Sequence, residues 1–236
     1  MPAMPTMRAN PLDHAALKQR HRLVRDAHPT NLTLRIHRAL SWLQRAEQCD
    51  DQDGRFIFLW IAFNAAYAQE MDDSERQPDK STFQAFIQKL CELDNDRHVD
   101  DLVWKEFTGS IRLLLDNPYV FQPFWEFHRG RIREDDWKER FSSARKVAQS
   151  ALAGGNTAVL LSVGFNRLYT LRNQLIHGGA TRSRAGNREQ LRDSTRLLAK
   201  LVPVFIKLMM DNPQTLWGEA VYPVVEQDGT VQRAQA

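Results

Sequence analysis

The stretch from Phe56 to Ala68 is apolar at every position except Asn64. A helix over this stretch would carry apolar side chains on all of its faces, so it needs neighbouring elements on every side. A helix that crosses a bilayer needs about 20 apolar residues, and this stretch is well short of that. It therefore predicts a core helix around which the rest of the chain packs.

Most of the remaining sequence repeats its apolar residues with the spacing of one helix face. The predicted helices cover residues 31–48, 55–70, 81–90, 99–115, 134–153, 157–177 and 187–210. The expected N-caps are Thr30 or Asn31, Ser81, and Asn156 or Thr157. Asp50 to Gly54 is interpreted as a turn, and the one strand signal is a small hairpin at Asp228-Gly229. The sequence therefore predicts an all-α fold, an antiparallel helical bundle.

These elements divide the chain into a main domain and two ends. Residues 30–211 are expected to form the helical domain, with additional inserted helices at about 81–153. Residues 1–29 are basic and weakly patterned, which indicates an N-terminal arm or short helix. Residues 212–236 are expected to be a C-terminal tail.

The insertion carries an aromatic cluster followed by basic residues. The aromatic residues are Tyr119, Phe121, Phe124, Trp125 and Phe127. They precede the segment His128-Arg129-Gly130-Arg131, and aromatic rings beside basic groups are typical of surfaces that bind single-stranded RNA. The composition favours the alternative, in which the rings are core and the charges lie on the surface.

Charge is nearly balanced over the whole chain but not along it. The 236 residues include 32 Lys and Arg against 29 Asp and Glu, which gives a net charge of +3. Residues 155–211 carry nine basic side chains against three acidic ones. This excess is consistent with an anionic partner, and equally with a solvated helix face that has none.

The cysteines and the N-terminus indicate a reduced, cytoplasmic protein without a membrane segment. Cys49 and Cys91 lack the spacing of metal ligands, and the first residues lack a basic start followed by an apolar core. No carboxylate pair, metal-ligand cluster or glycine-rich phosphate loop stands out. We therefore expect neither a metal nor a cofactor.

The residues with the clearest chemical potential lie in the run Leu171 to Gly179, which contains Arg172, Asn173 and His177. Arginine offers planar donors suited to phosphate, and histidine exchanges protons near neutral pH. On a straight helix Arg172 and His177 are separated by about 140° and about 7.5 Å, whereas Asn173 and His177 share a face.

Three arrangements would let Arg172 and His177 reach one phosphate. The arginine side chain could swing round, the last helical turn could loosen before Gly178, or a second subunit could contribute, and we favour the last. The structural alternative is an arginine bonded to a core carbonyl or carboxylate and a histidine that caps the helix, with the glycines acting only as a stop.

The segment Arg172 to His177 resembles the R-x4-6-H signature of the HEPN superfamily, in the form in which a polar residue follows the arginine. The segment Phe58 to Tyr67 is similar to the second core helix of bacterial, Apea-like HEPN proteins. The resemblance covers the helices near 31–70 and 157–210 and leaves residues 81–153 without a counterpart.

This resemblance implies a homodimer in which two copies of the motif face each other across a cleft. It also implies a metal-independent endoribonuclease that cleaves RNA through attack of the ribose 2'-OH on the adjacent phosphate. His177 would act as general base or acid, Arg172 would hold the phosphate, and Asn173 would position one of them. Family members in toxin and antiphage systems suggest growth arrest or defence, with an antitoxin or regulatory protein as a further partner.

Four further residues are candidates for binding the substrate. Tyr169 lies one turn before Arg172, where it could line the cleft or simply pack. Arg182, Arg184 and Arg188 follow the motif and could contact phosphates or belong to a solvated loop. Two other functions stay open: a non-catalytic HEPN module that binds a nucleotide or RNA, and a helical adaptor whose aromatic insertion is a protein interface.

Overall fold

The structure is a computed structural model that describes residues 12–67, 80–178, 188–215 and 217, together with the strand residues 224–225 and 231–232. It confirms the all-α fold. The α-helices are α1 His14–Val24, α2 Thr30–Glu47, α3 Gln52–Tyr67, α4 Lys80–Leu93, α5 His98–Asp101, α6 Thr108–Asp116, α7 Gln122–His128, α8 Glu134–Ala153, α9 Thr157–Ile176 and α10 Arg188–Asp211. Strands β1 Val224–Val225 and β2 Val231–Gln232 pair antiparallel on either side of Asp228-Gly229, which itself lies outside the described residues.

Helix α3 occupies the centre of the core, as its apolar sequence predicts. Phe56 and Phe63 are 0% and 1% exposed. The Phe63 ring centroid lies 4.7 Å from that of Phe165 in α9 and 6.3 Å from that of Phe205 in α10. The described residues of the two regions that carry the HEPN resemblance, 31–67 together with 157–178 and 188–210, therefore share one hydrophobic core.

Two helix starts differ from the prediction. Helix α2 begins at Thr30, and Pro29 rather than Thr30 or Asn31 occupies the N-cap position without a side-chain hydrogen bond. Helix α3 begins at Gln52, inside the predicted turn, because the Asp51 carboxylate accepts a hydrogen bond from the Gly54 backbone N–H at 2.7 Å. A side-chain acceptor just before a helix satisfies one of its unpaired N–H groups, so the helix can start earlier.

Helix α4 begins at Lys80, so Ser81 lies inside the helix and is not its N-cap. The continuous helix predicted over residues 99–115 is also wrong. The chain forms α5, a wider π turn over Leu102–Glu106, and then α6. The Thr108 hydroxyl donates to the carbonyls of Val103 and Trp104 at 2.9 and 2.7 Å, which satisfies acceptors at the break.

Segments on both sides of residues 30–211 contribute to the core. In α1, Leu17 and His21 are 2% and 1% exposed. Trp217 is 4% exposed, and its ring packs edge-on against Phe86 at 6.0 Å. The buried Arg35 of α2 donates to the Trp217 carbonyl, so the segment after α10 is fixed to the bundle at this point.

Candidate functional site

The local sequence of α9 defines both of its ends. The Asn156 side chain accepts a hydrogen bond from the Val159 N–H at 3.0 Å, which confirms one of the two expected caps. The C-cap is His177, whose backbone N–H donates to the Asn173 carbonyl at 3.0 Å. Gly178 follows with φ of +66°, a left-handed conformation that glycine adopts readily and that ends the helix.

Burial falls along α9 towards the motif. Leu168 and Leu171 are 0% and 2% exposed, whereas Ile176 is 49% exposed. The His177 side chain is exposed, and the described residues give its imidazole no hydrogen-bond partner. The last turn of α9 therefore leaves the core and presents His177 to solvent.

The Arg172 guanidinium is half-buried and only partly paired. Its Nη1 donates to the Asn173 Oδ1 at 2.9 Å, while its buried Nε has no acceptor. Within residues 12–67, 80–178 and 188–215, no carboxylate forms an ion pair with it. The described residues do not bond Arg172 to a core carbonyl or carboxylate, as the structural alternative expects, but His177 does cap the helix and Gly178 does end it, as that alternative also expects.

Asn173 touches both of the other motif residues. Its side chain accepts from Arg172, and its backbone carbonyl accepts from the backbone N–H of His177. Arg172 and His177 have no contact with each other among the described hydrogen bonds. The second bond is the regular backbone bond of a helix, so the side chain of Asn173 contacts Arg172 alone among the described hydrogen bonds.

The structure gives the other predicted site residues different surroundings. Tyr169 is half-buried, and its ring lies 6.2 Å from that of Trp60 in α3, so it packs at the edge of the core. Arg188 forms an ion pair with Asp53 at 2.7 Å, which ties the start of α10 to the start of α3. Arg182 and Arg184 lie outside the described residues.

Two residues of α9 have roles that sequence reasoning did not assign. Gln174 donates from Nε2 to the Tyr119 carbonyl at 2.6 Å. Arg167, counted above among the basic residues, is 2% exposed, so it cannot face an anionic partner. It lies instead below the rings of Phe121 and Phe141, at 4.1 and 5.2 Å from their centroids. Arg167 lies three residues after the buried Gly164 and four before the buried Leu171, and this spacing on one helix face was the available signal for its burial.

Burial explains the electrostatics of Arg167. Removing the charge from water lowers the pKa of its guanidinium to about 10, although Asp116 acts in the opposite direction. Its Nη2 donates to the Leu115 carbonyl at 3.4 Å, and ring faces next to the cation supply part of the lost solvation. Arg167 therefore holds the inserted aromatic segment against α9.

The thiols of both cysteines have raised pKa values, and for Cys49 the causes are burial and then the hydrogen bond to the Asp51 side chain. Burial raises the pKa of the Cys91 thiol to about 12, so it stays protonated near neutral pH. The described parts of the chain hold no group of three or more His, Cys, Asp and Glu residues that could bind a metal ion. None of their helices combines the length and apolar character that a bilayer crossing demands.

A cleft of about 480 Å³ between α2, α3 and α10 lies apart from the motif. Its lining includes Arg55, Arg196 and Lys200 together with Glu47 and Glu106, so its charges largely balance. Neither Arg172 nor His177 lines it. Of the motif residues, Ile176 and His177 are exposed.

Comparisons with family models, with curated proteins and with solved structures find no match for this chain.

Proposed function

We propose that the protein is a metal-independent endoribonuclease whose active groups are Arg172, Asn173 and His177. A general base removes the proton of a ribose 2'-OH, the oxygen attacks the adjacent phosphorus, and the bond to the 5'-oxygen breaks as that oxygen takes up a proton. The products are a 2',3'-cyclic phosphate and a 5'-hydroxyl. One observation carries the proposal: the Arg172 guanidinium, which bonds to Asn173 and to no carboxylate of the described residues, and the exposed His177 lie at the same end of α9.

Each residue type fits a distinct role in this reaction. The exposed His177 can exchange protons with the ribose or with the leaving oxygen. The planar donors of Arg172 can hold a phosphate and stabilise the negative charge that grows on its oxygens. Asn173 positions the guanidinium through the 2.9 Å hydrogen bond to its side chain. No metal is required for any of these steps.

The angular separation of Arg172 and His177 supports a homodimer. Five residues along a helix turn the side chains about 140° apart, so one helix end does not aim both at one phosphate. Two antiparallel copies of α9 facing a common groove would place the arginine of one copy near the histidine of the other. A homodimer is therefore part of the proposal.

The resemblance to HEPN proteins extends the proposal to a biological class. An RNA-cleaving enzyme that acts as a toxin or defence effector would be harmful when unrestrained. An antitoxin or regulatory protein that covers the exposed end of α9 would then hold it inactive. RNA is the substrate class on which every other part of the proposal depends.

The test is cleavage of a labelled single-stranded RNA by the purified protein in EDTA. We expect cleavage products with cyclic phosphate ends, and none from a substrate that carries 2'-deoxyribose at the cleaved position. His177→Ala should reduce the rate by at least 100-fold, since one general acid or base contributes about 10²–10⁴. Arg172→Lys keeps the charge but loses the planar donors, so it should cleave more slowly than the wild type. Arg172→Ala loses both and should cleave more slowly still.

His98 provides a matched control for the histidine. It is a half-buried histidine in α5, and Asp100 of the same helix accepts a hydrogen bond from Thr157 at the opposite end of α9. A helix of 20 residues is about 30 Å long, so His98→Ala should cleave like the wild type. Equal cleavage by wild type and His177→Ala would reject the proposal, and RNA binding without turnover in the wild type would favour a non-catalytic module.

A further inference from the structure

The aromatic segment between α6 and α8 is folded but not buried. None of the residues of α7 is buried, and Phe124, Trp125 and Phe127 are only half-buried. Tyr119, in the turn before α7, is 50% exposed. The expectation that these rings belong to the core is therefore wrong, because α7 packs mainly on α8 and leaves ring surface accessible to solvent.

The rings form one continuous cluster centred on Phe124. Its ring centroid lies 5.4 Å from that of Tyr119, and 5.2 Å from those of both Trp125 and Trp137. His128, exposed at the end of α7, lies 4.3 Å from it. We call the five residues Tyr119, Phe124, Trp125, Trp137 and His128 the aromatic surface.

The aromatic surface is connected directly to the candidate site. The Tyr119 carbonyl accepts two hydrogen bonds, from Gln174 Nε2 at 2.6 Å and from Trp125 Nε1 at 2.8 Å. Gln174 lies between Arg172 and His177 in the sequence. One backbone oxygen thus joins the motif end of α9 to a ring of the aromatic surface, so the two surfaces are adjacent.

Basic groups border the aromatic surface and are not neutralised. Arg129 and Arg131 are exposed, and the described residues form no ion pair with either. Of the acidic residues that follow, Asp136 pairs with Arg133 at 3.2 Å and Glu134 pairs with Lys138 at 2.7 Å, whereas Asp135 is exposed and forms no ion pair among the described residues. The surface therefore offers aromatic rings together with unpaired positive charge, which complements a polyanion that carries bases.

We propose that the aromatic surface binds single-stranded RNA by base stacking and leads the strand to Arg172 and His177. Unpaired bases would stack on Tyr119 and its neighbours, while Arg129 and Arg131 contact phosphates. The choice of RNA as ligand rests on the proposed function. The surface selects for unpaired strands, because bases inside a duplex cannot present their faces to the rings.

The test separates binding from cleavage by using an RNA that cannot react. A fluorescent 12-nucleotide oligouridylate with 2'-O-methyl groups throughout lacks the attacking hydroxyl, and its affinity is measured by anisotropy. We expect Tyr119→Ala to weaken binding by about tenfold, as the loss of one stacked base predicts, and Tyr119→Phe to bind like the wild type. The same oligonucleotide annealed to its complement should bind at least tenfold more weakly than the single strand.

The charged border has its own readout. Changing Arg129 and Arg131 together to Gln should flatten the dependence of log affinity on log salt concentration by about 1.4, since each contact to a single strand contributes about 0.7. Trp42→Ala is the matched control for the ring. Trp42 is 38% exposed and stacks on Phe58 in a different part of the bundle, so its loss should not change RNA affinity.

Each outcome decides the inference independently of the cleavage assay. Unchanged affinity in Tyr119→Ala and in the double Arg129/Arg131 variant would overturn it, even if the protein cleaves RNA. These variants could instead differ from the wild type in molecular mass by light scattering and not in RNA affinity. The aromatic surface would then be a protein interface, and the inference would be overturned. Binding that depends on Tyr119 in a protein that never cleaves would support the inference and reject the nuclease.

Discussion

The guanidinium carbon of Arg167 lies 4.1 Å from the centroid of the Phe121 ring, beneath an aromatic segment that is 46 residues away in the sequence. Arg167 is buried, yet its Nε and Nη1 have no acceptor among the described residues. A buried charge that is incompletely paired stabilises a protein less than an apolar side chain of similar volume can. Shape and contact with the rings, more than charge, should therefore decide what this position tolerates.

We expect Arg167→Ala to lower the free energy of unfolding by about 2–4 kcal/mol, because it leaves a cavity under Phe121 and Phe141. Arg167→Met fills most of that space, so its free energy of unfolding should lie within about 1 kcal/mol of the wild-type value or above it. Urea denaturation followed by tryptophan fluorescence measures both. A methionine variant as unstable as the alanine variant would show that the charge itself is required.

His21 should make stability depend on pH. It is 1% exposed, and neither ring nitrogen has a hydrogen-bond partner in the described part of the chain. Burial, reinforced by Lys18, His37, Arg25 and His28, lowers the pKa of its imidazole from 6.5 to about 4.

The unfolded chain therefore binds a proton at His21 between about pH 6.5 and pH 4 that the folded chain does not. Stability from this residue is complete above pH 6.5 and falls as the pH drops to 4, by at most about 3 kcal/mol. His21→Leu should remove this loss. The free energy of unfolding of the variant, minus that of the wild type, should therefore be more positive at pH 5 than at pH 7.5. Parallel pH profiles for the two proteins would contradict the assignment.

The ion pair of Arg188 and Asp53 gives a prediction about a residue that sequence reasoning placed in substrate binding. Their side chains are 34% and 25% exposed, so solvent screens the attraction only in part. A double-mutant cycle with Arg188→Ala and Asp53→Ala should give a coupling of about 0.5–1 kcal/mol in the free energy of unfolding. If Arg188 serves mainly this pair, Arg188→Ala should leave RNA affinity within twofold of the wild type, and a larger loss would place it at the phosphate.

Some of these features could be predicted from the sequence and others could not. Helix α3 was predictable because a segment that is apolar on all faces is stable only inside the core. The Asn156 cap was predictable because the capping residue directly precedes the helix that it caps. Arg167 was counted as a surface charge because its burial depends on Phe121 and Phe141, which no local spacing places over α9. The start of α3 was missed because its cap depends on the side-chain geometry of Asp51, and α2 begins one residue before the predicted 31–48 helix without any side-chain cap.

The candidate site divides in the same way. The run from Arg172 to His177 at a helix end was visible in the sequence. Gly178 marks the end of the helix, and apolar residues such as Leu168 and Leu171 mark its buried face. The hydrogen bond from Gln174 to Tyr119 was not, because it joins residues 55 positions apart. Whether a second chain contacts this end of α9 depends on two surfaces rather than on a local pattern, and the mass of the protein in solution tests whether a dimer forms.

Gln174 should act as a positioning residue between the motif and the aromatic surface. Gln174→Glu places a carboxylate against the Tyr119 carbonyl in place of an N–H donor, so the contact becomes repulsive. Gln174→Ala removes the bond without adding repulsion, which for an exposed site costs about 0.5–1.5 kcal/mol of stability at most.

We therefore expect the Glu variant to bind the 2'-O-methyl oligouridylate more weakly than the Ala variant, and the Ala variant more weakly than the wild type. Trp125 shares the same carbonyl oxygen, so its fluorescence should shift in the same order. Cleavage of an RNA present well above its Kd should be less affected than cleavage at low RNA concentration, because Gln174 itself transfers no proton. A loss confined to the rate at saturating RNA would instead mean that Gln174 acts on the reacting groups, and the proposed connection between the two surfaces would be wrong.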